Sequence, residues 1–178
     1  QDIFNIDNYI YNSLIPNYYN LQNKFINLYQ INNKIFEDSD MYNFRYFCYR
    51  YTKYIRQINL PIIKIGNKLE AVLIEFRSLP NIEFTIKNTM IKLGNNWSHT
   101  IICGNTNYQY IKDIIENMNK QVRIIKLNYN NIDCNTYSKL LTEISFWEQF
   151  SKVERVLIYQ EDTLILKNNI DDFSAYSY

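Results

Sequence analysis

From Leu69 onward the apolar residues alternate between short unbroken runs and a helical period. Glu70-Ala71-Val72-Leu73-Ile74-Glu75-Phe76-Arg77 is an apolar run with an acid and a base at its exit. After Pro80, residues Ile82, Phe84, Ile86, Met90, Ile91 and Leu93 suit a helix closed by Gly94. His99 to Cys103 makes a second run, stopped by Gly104-Asn105, and Tyr108, Ile111, Ile114, Ile115 and Met118 follow at helical spacing. Val122 to Leu127 is a third run, and an Asn-rich loop then leads to Thr136, a candidate cap. The helix it would open carries Leu140, Leu141, Ile144, Phe146, Trp147 and Phe150, and the chain then enters a fourth run, Val156 to Tyr159. The pattern predicts strands near 70–76, 99–104, 122–127 and 154–160, separated by helices near 82–93, 107–118 and 136–150. Such alternation is the signature of an α/β fold with a parallel sheet, and right-handed crossovers put its helices on both faces. Strands apolar on both sides agree with that cover. Trp147, beside Phe146 and Phe150, is expected in the core.

Residues 1–68 read as a helical N-terminal extension to a domain spanning 69–178. Tyr18 to Phe36 has a rough helical period after the breaker Pro16. Glu37-Asp38-Ser39-Asp40 then offers a helix start, and Met41 to Leu60 a second helix ended by Pro61. Arg45, Arg50, Lys53 and Arg56 in this helix face no acid and lie among aromatics. Cations beside stacking rings can bind single-stranded nucleic acid. The preferred reading is an amphipathic helix whose aromatics pack on the domain while its Arg stems reach water.

Composition narrows the chemistry. The 178 residues hold 19 Lys and Arg against 18 Asp and Glu, so a charge of +1 exerts no global pull on nucleic acid or anionic membrane. The abundance of Ile, Asn, Tyr and Lys reads as the bias of an AT-rich genome. Three scattered cysteines, Cys48, Cys103 and Cys134, match no metal spacing, favour a reducing compartment, and leave Cys103 as a small buried hydrophobe. His99 is the sole histidine, which excludes a histidine triad or a multi-histidine metal site. With glycines only at 66, 94 and 104, neither GxGxxG nor a Walker A loop can be drawn. No signal-peptide pattern and no run long enough to span a bilayer is present, and the start at Gln1 suggests that an upstream segment has been removed.

The most informative stretch is Val156 to Leu166, where an apolar run meets Gln160-Glu161-Asp162 and turns apolar again. Open α/β sheets bind ligands at the carboxyl ends of their strands. Two acids there suit a hard cation with phosphate, and equally suit a solvated turn.

Taken in order, Glu70 to Arg77, Lys87-Asn88, Leu93 to Trp97, Ile101 to Asn105, Leu140-Leu141, Phe146-Trp147-Glu148, Val156 to Thr163 and Ile170 to Phe173 carry a resemblance. From about residue 69 to the end, and weakly over Arg45 to Pro61, the chain resembles a glycosyltransferase-like family of giant viruses and some cellular organisms, formerly described only as a domain of unknown function. The Asn/Ile/Tyr/Lys-rich composition fits a mimivirus-like source. That family is similar to nucleotide-sugar transferases of the GT-A fold, a Rossmann-like architecture, which implies a strand order 3-2-1-4.

The resemblance implies a site as well. GT-A enzymes carry Asp-x-Asp after the fourth strand, where a divalent metal meets the sugar-nucleotide diphosphate. Here the motif is Gln160-Glu161-Asp162, so Asp162 would hold Mn²⁺ or Mg²⁺, Gln160 would contact ribose, and Glu161 would add background charge. Glu75 and Arg77 would leave the first strand beside the nucleotide, or Arg77 would pair with Glu75. Asn88 and Trp97 are expected in packing roles. The implied partners are a nucleotide-diphosphate sugar and a glycan or protein acceptor, with no membrane span and no nucleic acid. The implied location is host cytoplasm (viral factory) or virion. The acceptor half and the catalytic base would lie beyond Tyr178, leaving a donor-binding half. The competing expectation is a non-catalytic α/β interaction module that retains the fold alone.

Overall fold

The computed structural model describes residues 39–168 and 170. The expected helix over Tyr18 to Phe36, the acids Glu37 and Asp38, and residues 171–173 of the Ile-Asp-Asp-Phe stretch lie outside the described residues.

Four strands form one sheet, β1 (Leu69–Ile74), β2 (Trp97–Cys103), β3 (Arg123–Lys126) and β4 (Arg155–Tyr159). Every pairing is parallel and the order is β3-β2-β1-β4. The α/β class, the parallel pairing and the strand order therefore match the expectations. The central pair explains the unbroken apolar runs: from Glu70 to Cys103 every residue of β1 and β2 is buried. β4 differs from the fully covered strand its sequence suggests, because it ends the described sheet. Val156 to Ile158 are half-buried there, and only Tyr159 is fully covered.

Side-chain alternation divides the core in two. Ala71, Leu73, Ile101 and Cys103 pack against α2 (Ile82–Leu93) and α3 (Tyr108–Met118), through Ile82, Ile86, Met90, Ile111 and Ile115. Val72, Ile74 and Ile102 point the other way, against Phe146 and Phe150. Burying each valine, leucine, isoleucine, methionine or phenylalanine among them contributes about 1.5–3 kcal/mol. Gly94 closes α2 with its N–H on the Met90 carbonyl at φ 73°, a left-handed conformation that favours glycine. Gly104 serves by its size: a Cβ there would stand 2.4 Å from the Tyr129 carbonyl oxygen and 2.8 Å from the Phe76 ring. Trp97 is core, as expected, and Asn88 ties down the Ile165 backbone by hydrogen bonds of 3.2 and 2.9 Å. His99 is buried on β2, and burial lowers its pKa to about 4, so the ring is neutral near pH 7.

Three elements depart from the expected pattern. The helix Ser39–Ile55, α1, ends short of the expected Leu60: the chain leaves it through tight turns in which the Gln57 and Ile58 N–H groups donate to the Tyr54 and Ile55 carbonyls. The helix before β4 is two: α4 (Cys134–Thr142) and α5 (Ile144–Glu148), separated by extended backbone at Glu143. Its cap is Asp133, whose carboxylate accepts from the Thr136 N–H at 2.8 Å, rather than Thr136 itself. The break resets the helical phase, so Phe146 and Phe150 face the sheet while Trp147 is 42% exposed. Trp147 is therefore not core: its ring stands edge-on to Phe146 and its indole N–H donates to the Leu141 carbonyl. Phe146→Ala should cost about 3–5 kcal/mol of stability, the usual loss for a buried aromatic, and Trp147→Ala less than half as much. Urea denaturation midpoints of the two variants measure the difference.

Candidate functional site

The strand order reverses between β1 and β4, which are paired in register up to Leu73 and Tyr159. In an open α/β sheet a crevice forms at the carboxyl ends of the strands flanking such a reversal. A cavity of about 340 Å³ lies there, and Glu75, Arg77, Gln160, Glu161 and Asp162 all line it. All five residues singled out in the sequence thus meet at one place. The opposite wall is built by Asn131, Ile132 and Asp133 and by the first turns of α4, including Tyr137 and Ser138.

Glu75 follows β1 directly, and its backbone N–H continues the ladder to the Ile102 carbonyl at 3.0 Å. Its buried carboxylate accepts from the N–H groups of Phe76 and Arg77 at 2.9 and 2.8 Å. Two parallel 2.8 Å bonds join it to Arg77 Nε and Nη2. The pairing of Arg77 with Glu75 foreseen from sequence is present, and Arg77 still keeps 38% of its side chain exposed on the cavity wall. Asn107, fully buried, braces this exit by donating to the carbonyls of Glu75 and Arg77 while accepting from the Gly104 N–H.

After β4 the chain turns at once. The Thr163 N–H donates to the Gln160 carbonyl at 3.2 Å, and the Gln160 N–H to Thr163 Oγ1 at 3.3 Å. Gln160 and Asp162 are exposed, while Glu161 between them is buried. The expectation of Glu161 as background charge needs correction, because it anchors the turn. Arg45 Nε donates to its two carboxylate oxygens at 3.1 and 3.2 Å, and Arg45 Nη2 donates to Oε1. Asn81 Nδ2 reaches Oε2 at 2.7 Å, and Arg77 Nη2 lies 3.5 Å from Oε1. The Glu161 carbonyl accepts from Asn81 Nδ2 at 2.9 Å and from Thr85 Oγ1 at 3.1 Å. Burial first, and then the Glu161 charge, push the neighbouring Cys48 thiol up to about 12. Asp162 has no hydrogen-bond or ion-pair partner among the described residues.

The sequence reading missed Arg45, Asn81, Thr85, Asp133 and Tyr137. For Arg45 a signal exists. It shares helical spacing with Cys48, Thr52 and Ile55, all buried, so it sits on the apolar stripe of α1 where a cation requires a partner. The neighbouring cations behave as an amphipathic helix allows: Arg50 and Lys53 of α1 lie over tyrosine rings, and Arg56, just past its end, pairs with Glu83. No three His, Cys, Asp or Glu among the described residues converge to hold a metal ion unaided.

Residues 120–178 match the profile of a family described as a protein of unknown function (DUF5672), a span that includes Asp133, Tyr137 and the Gln160–Asp162 turn. No curated protein and no solved structure gives a significant match. Among the described residues no helix is long and apolar enough to cross a membrane.

Two neighbours on one turn should differ sharply in what their loss costs. Glu161→Gln leaves Arg45 buried with half its ion pair and should cost about 3–5 kcal/mol, while exposed Asp162→Asn should change stability by less than about 0.5 kcal/mol. Urea unfolding without ligand checks both.

Proposed function

We propose that this cavity is the donor site of a glycosyltransferase-like domain, taking a nucleotide-diphosphate sugar with a divalent cation, Mn²⁺ or Mg²⁺, at Asp162. The observation that carries the reading is the state of Asp162. It is an exposed carboxylate without a partner among the described residues, and it shares the strand-reversal cavity with a half-exposed arginine.

Charge supports the assignment. Among the residues lining or backing the cavity, Glu75 and Glu161 are matched by Arg77 and Arg45, while Asp133 and Asp162 are not matched. Such a cavity repels a bare diphosphate and accepts one accompanied by a divalent cation. Mg²⁺ sites commonly use one or two carboxylates and complete the shell with waters and substrate phosphate, so Asp162 fits the part without a third acid. When bound, the cation would supply Lewis-acid stabilisation of the diphosphate leaving group. Arg77 adds a fixed positive charge toward phosphate, prearranged by Glu75. Gln160, on the cavity wall, would hydrogen-bond a ribose hydroxyl, and Phe76, Ile132 and Tyr137 would offer apolar surface for a base.

A second reading, a non-catalytic α/β interaction module, draws on uncharged Gln160 and on the burial of Glu161, which together leave Asp162 as the turn's one exposed acid. Metal dependence separates the two readings. Titration calorimetry with uridine diphosphate in Mn²⁺ should show binding that Asp162→Asn weakens at least about tenfold, a change of about 1.4 kcal/mol. In chelator the variant should bind no worse than wild type, since a repelling charge has gone. Metal and nucleotide should each raise the other's affinity by the same factor. Binding that ignores Mn²⁺, or no binding by the wild type, would favour the interaction module.

A further inference from the structure

We propose that Arg45, on a helix that does not line the cavity, is a positioning residue for the donor site: by neutralising Glu161 it keeps the Arg77 guanidinium on the cavity wall. The inference rests on the donor-site reading and names a part of it that neither the cavity lining nor the strand-end motif contains.

The geometry is a row of alternating charges. Glu75 grips Arg77 through two bonds of 2.8 Å, Arg77 Nη2 stands 3.5 Å from Glu161 Oε1, and Glu161 is held by Arg45 from the far side. Among the described residues Arg77 is therefore flanked by two carboxylates, of which Glu75 makes hydrogen bonds to it and Glu161 stands at ion-pair distance. Glu161 is 3% exposed, so water cannot compensate its charge. Without Arg45, the nearest cation among the described residues able to do so is Arg77, already within ion-pair distance. The guanidinium would then be drawn inward to Glu161, and the site would carry one more uncompensated negative charge. Both changes oppose an incoming diphosphate.

The turn itself has anchors independent of that charge. Asn81 and Thr85 hold the Glu161 carbonyl, and Thr163 closes the turn on Gln160. Removing both charges together therefore leaves the turn tethered and returns the row to balance. This distinguishes an electrostatic role for Arg45 from one of packing alone.

Three variants of the whole chain test the idea: Arg45→Met, Arg45→Lys and Arg45→Met with Glu161→Gln. By calorimetry with uridine diphosphate and Mn²⁺, Arg45→Met should lose at least tenfold in affinity. Arg45→Lys should recover part of the loss, and the double variant should bind within about threefold of wild type. A double variant as weak as Arg45→Met, or an Arg45→Met protein that binds like wild type, overturns the proposal. A readout without ligand comes from the Arg77 side-chain N–H signals in ¹⁵N NMR. They should shift and exchange more slowly in Arg45→Met, and return to the wild-type position in the double variant. If the wild type binds no nucleotide, the donor-site reading falls, and these signals still decide the positioning: unmoved, they refute it. If Arg45→Met does not fold, the Arg45→Lys and double variants carry the same comparison.

Discussion

A buried pair of opposite charges, Arg45 and Glu161, joins two parts of the chain that the hydrophobic pattern treats separately. Neither charge is tolerable alone at this depth, since an unpaired buried ion costs several kcal/mol. The pair therefore obliges α1 to dock wherever β4 delivers Glu161. It draws in Asn81 and Thr85, which receive the same residue at the start of α2. The consequence for the site is directional. With Glu161 turned inward, Gln160 and Asp162 remain exposed on the cavity side.

The sheet supplies the position and the ion pair supplies the orientation. Parallel pairing in the order β3-β2-β1-β4 brings the ends of β1 and β4 side by side, although about 85 residues of sequence separate them. The two core clusters immobilise the central strands from both faces, so Glu75 and Asn107 can hold Arg77 through a fixed set of bonds. Binding groups borne on such a frame lose little freedom when a ligand arrives. The loop from Asn128 to Asp133 is brought to the same cavity because Gly104 lets Tyr129 and Phe76 approach its backbone closely.

Much of this was legible from residue order alone. The runs of β1 and β2 and the period of α2 stand in the sequence with little ambiguity, and Ile82–Leu93 is bounded where Pro80 and Gly94 suggest. The five candidate residues, read at the ends of two strands, do converge. What was hidden depends on local backbone choices or on distant partners. A sum over apolar positions cannot register the break at Glu143, so it misassigned Trp147, which the reset phase turns outward. A strand-end acid reads alike whether it faces water or a buried arginine, so Glu161 and Asp162 looked more alike than they are. Arg45 could have been noticed on the apolar stripe of α1, but its partner lies 116 residues away.

The central claim is that a cation and a nucleotide diphosphate meet at the carboxyl ends of β1 and β4. Paramagnetic broadening of amide NMR signals by Mn²⁺, recorded with and without uridine diphosphate, tests it most directly. With nucleotide present, broadening should centre on residues 160–163 and extend to 75–77 and 131–138, and it should be much weaker without nucleotide. Broadening centred elsewhere, such as at Glu83 beside Arg56, or unchanged by nucleotide, would contradict the claim.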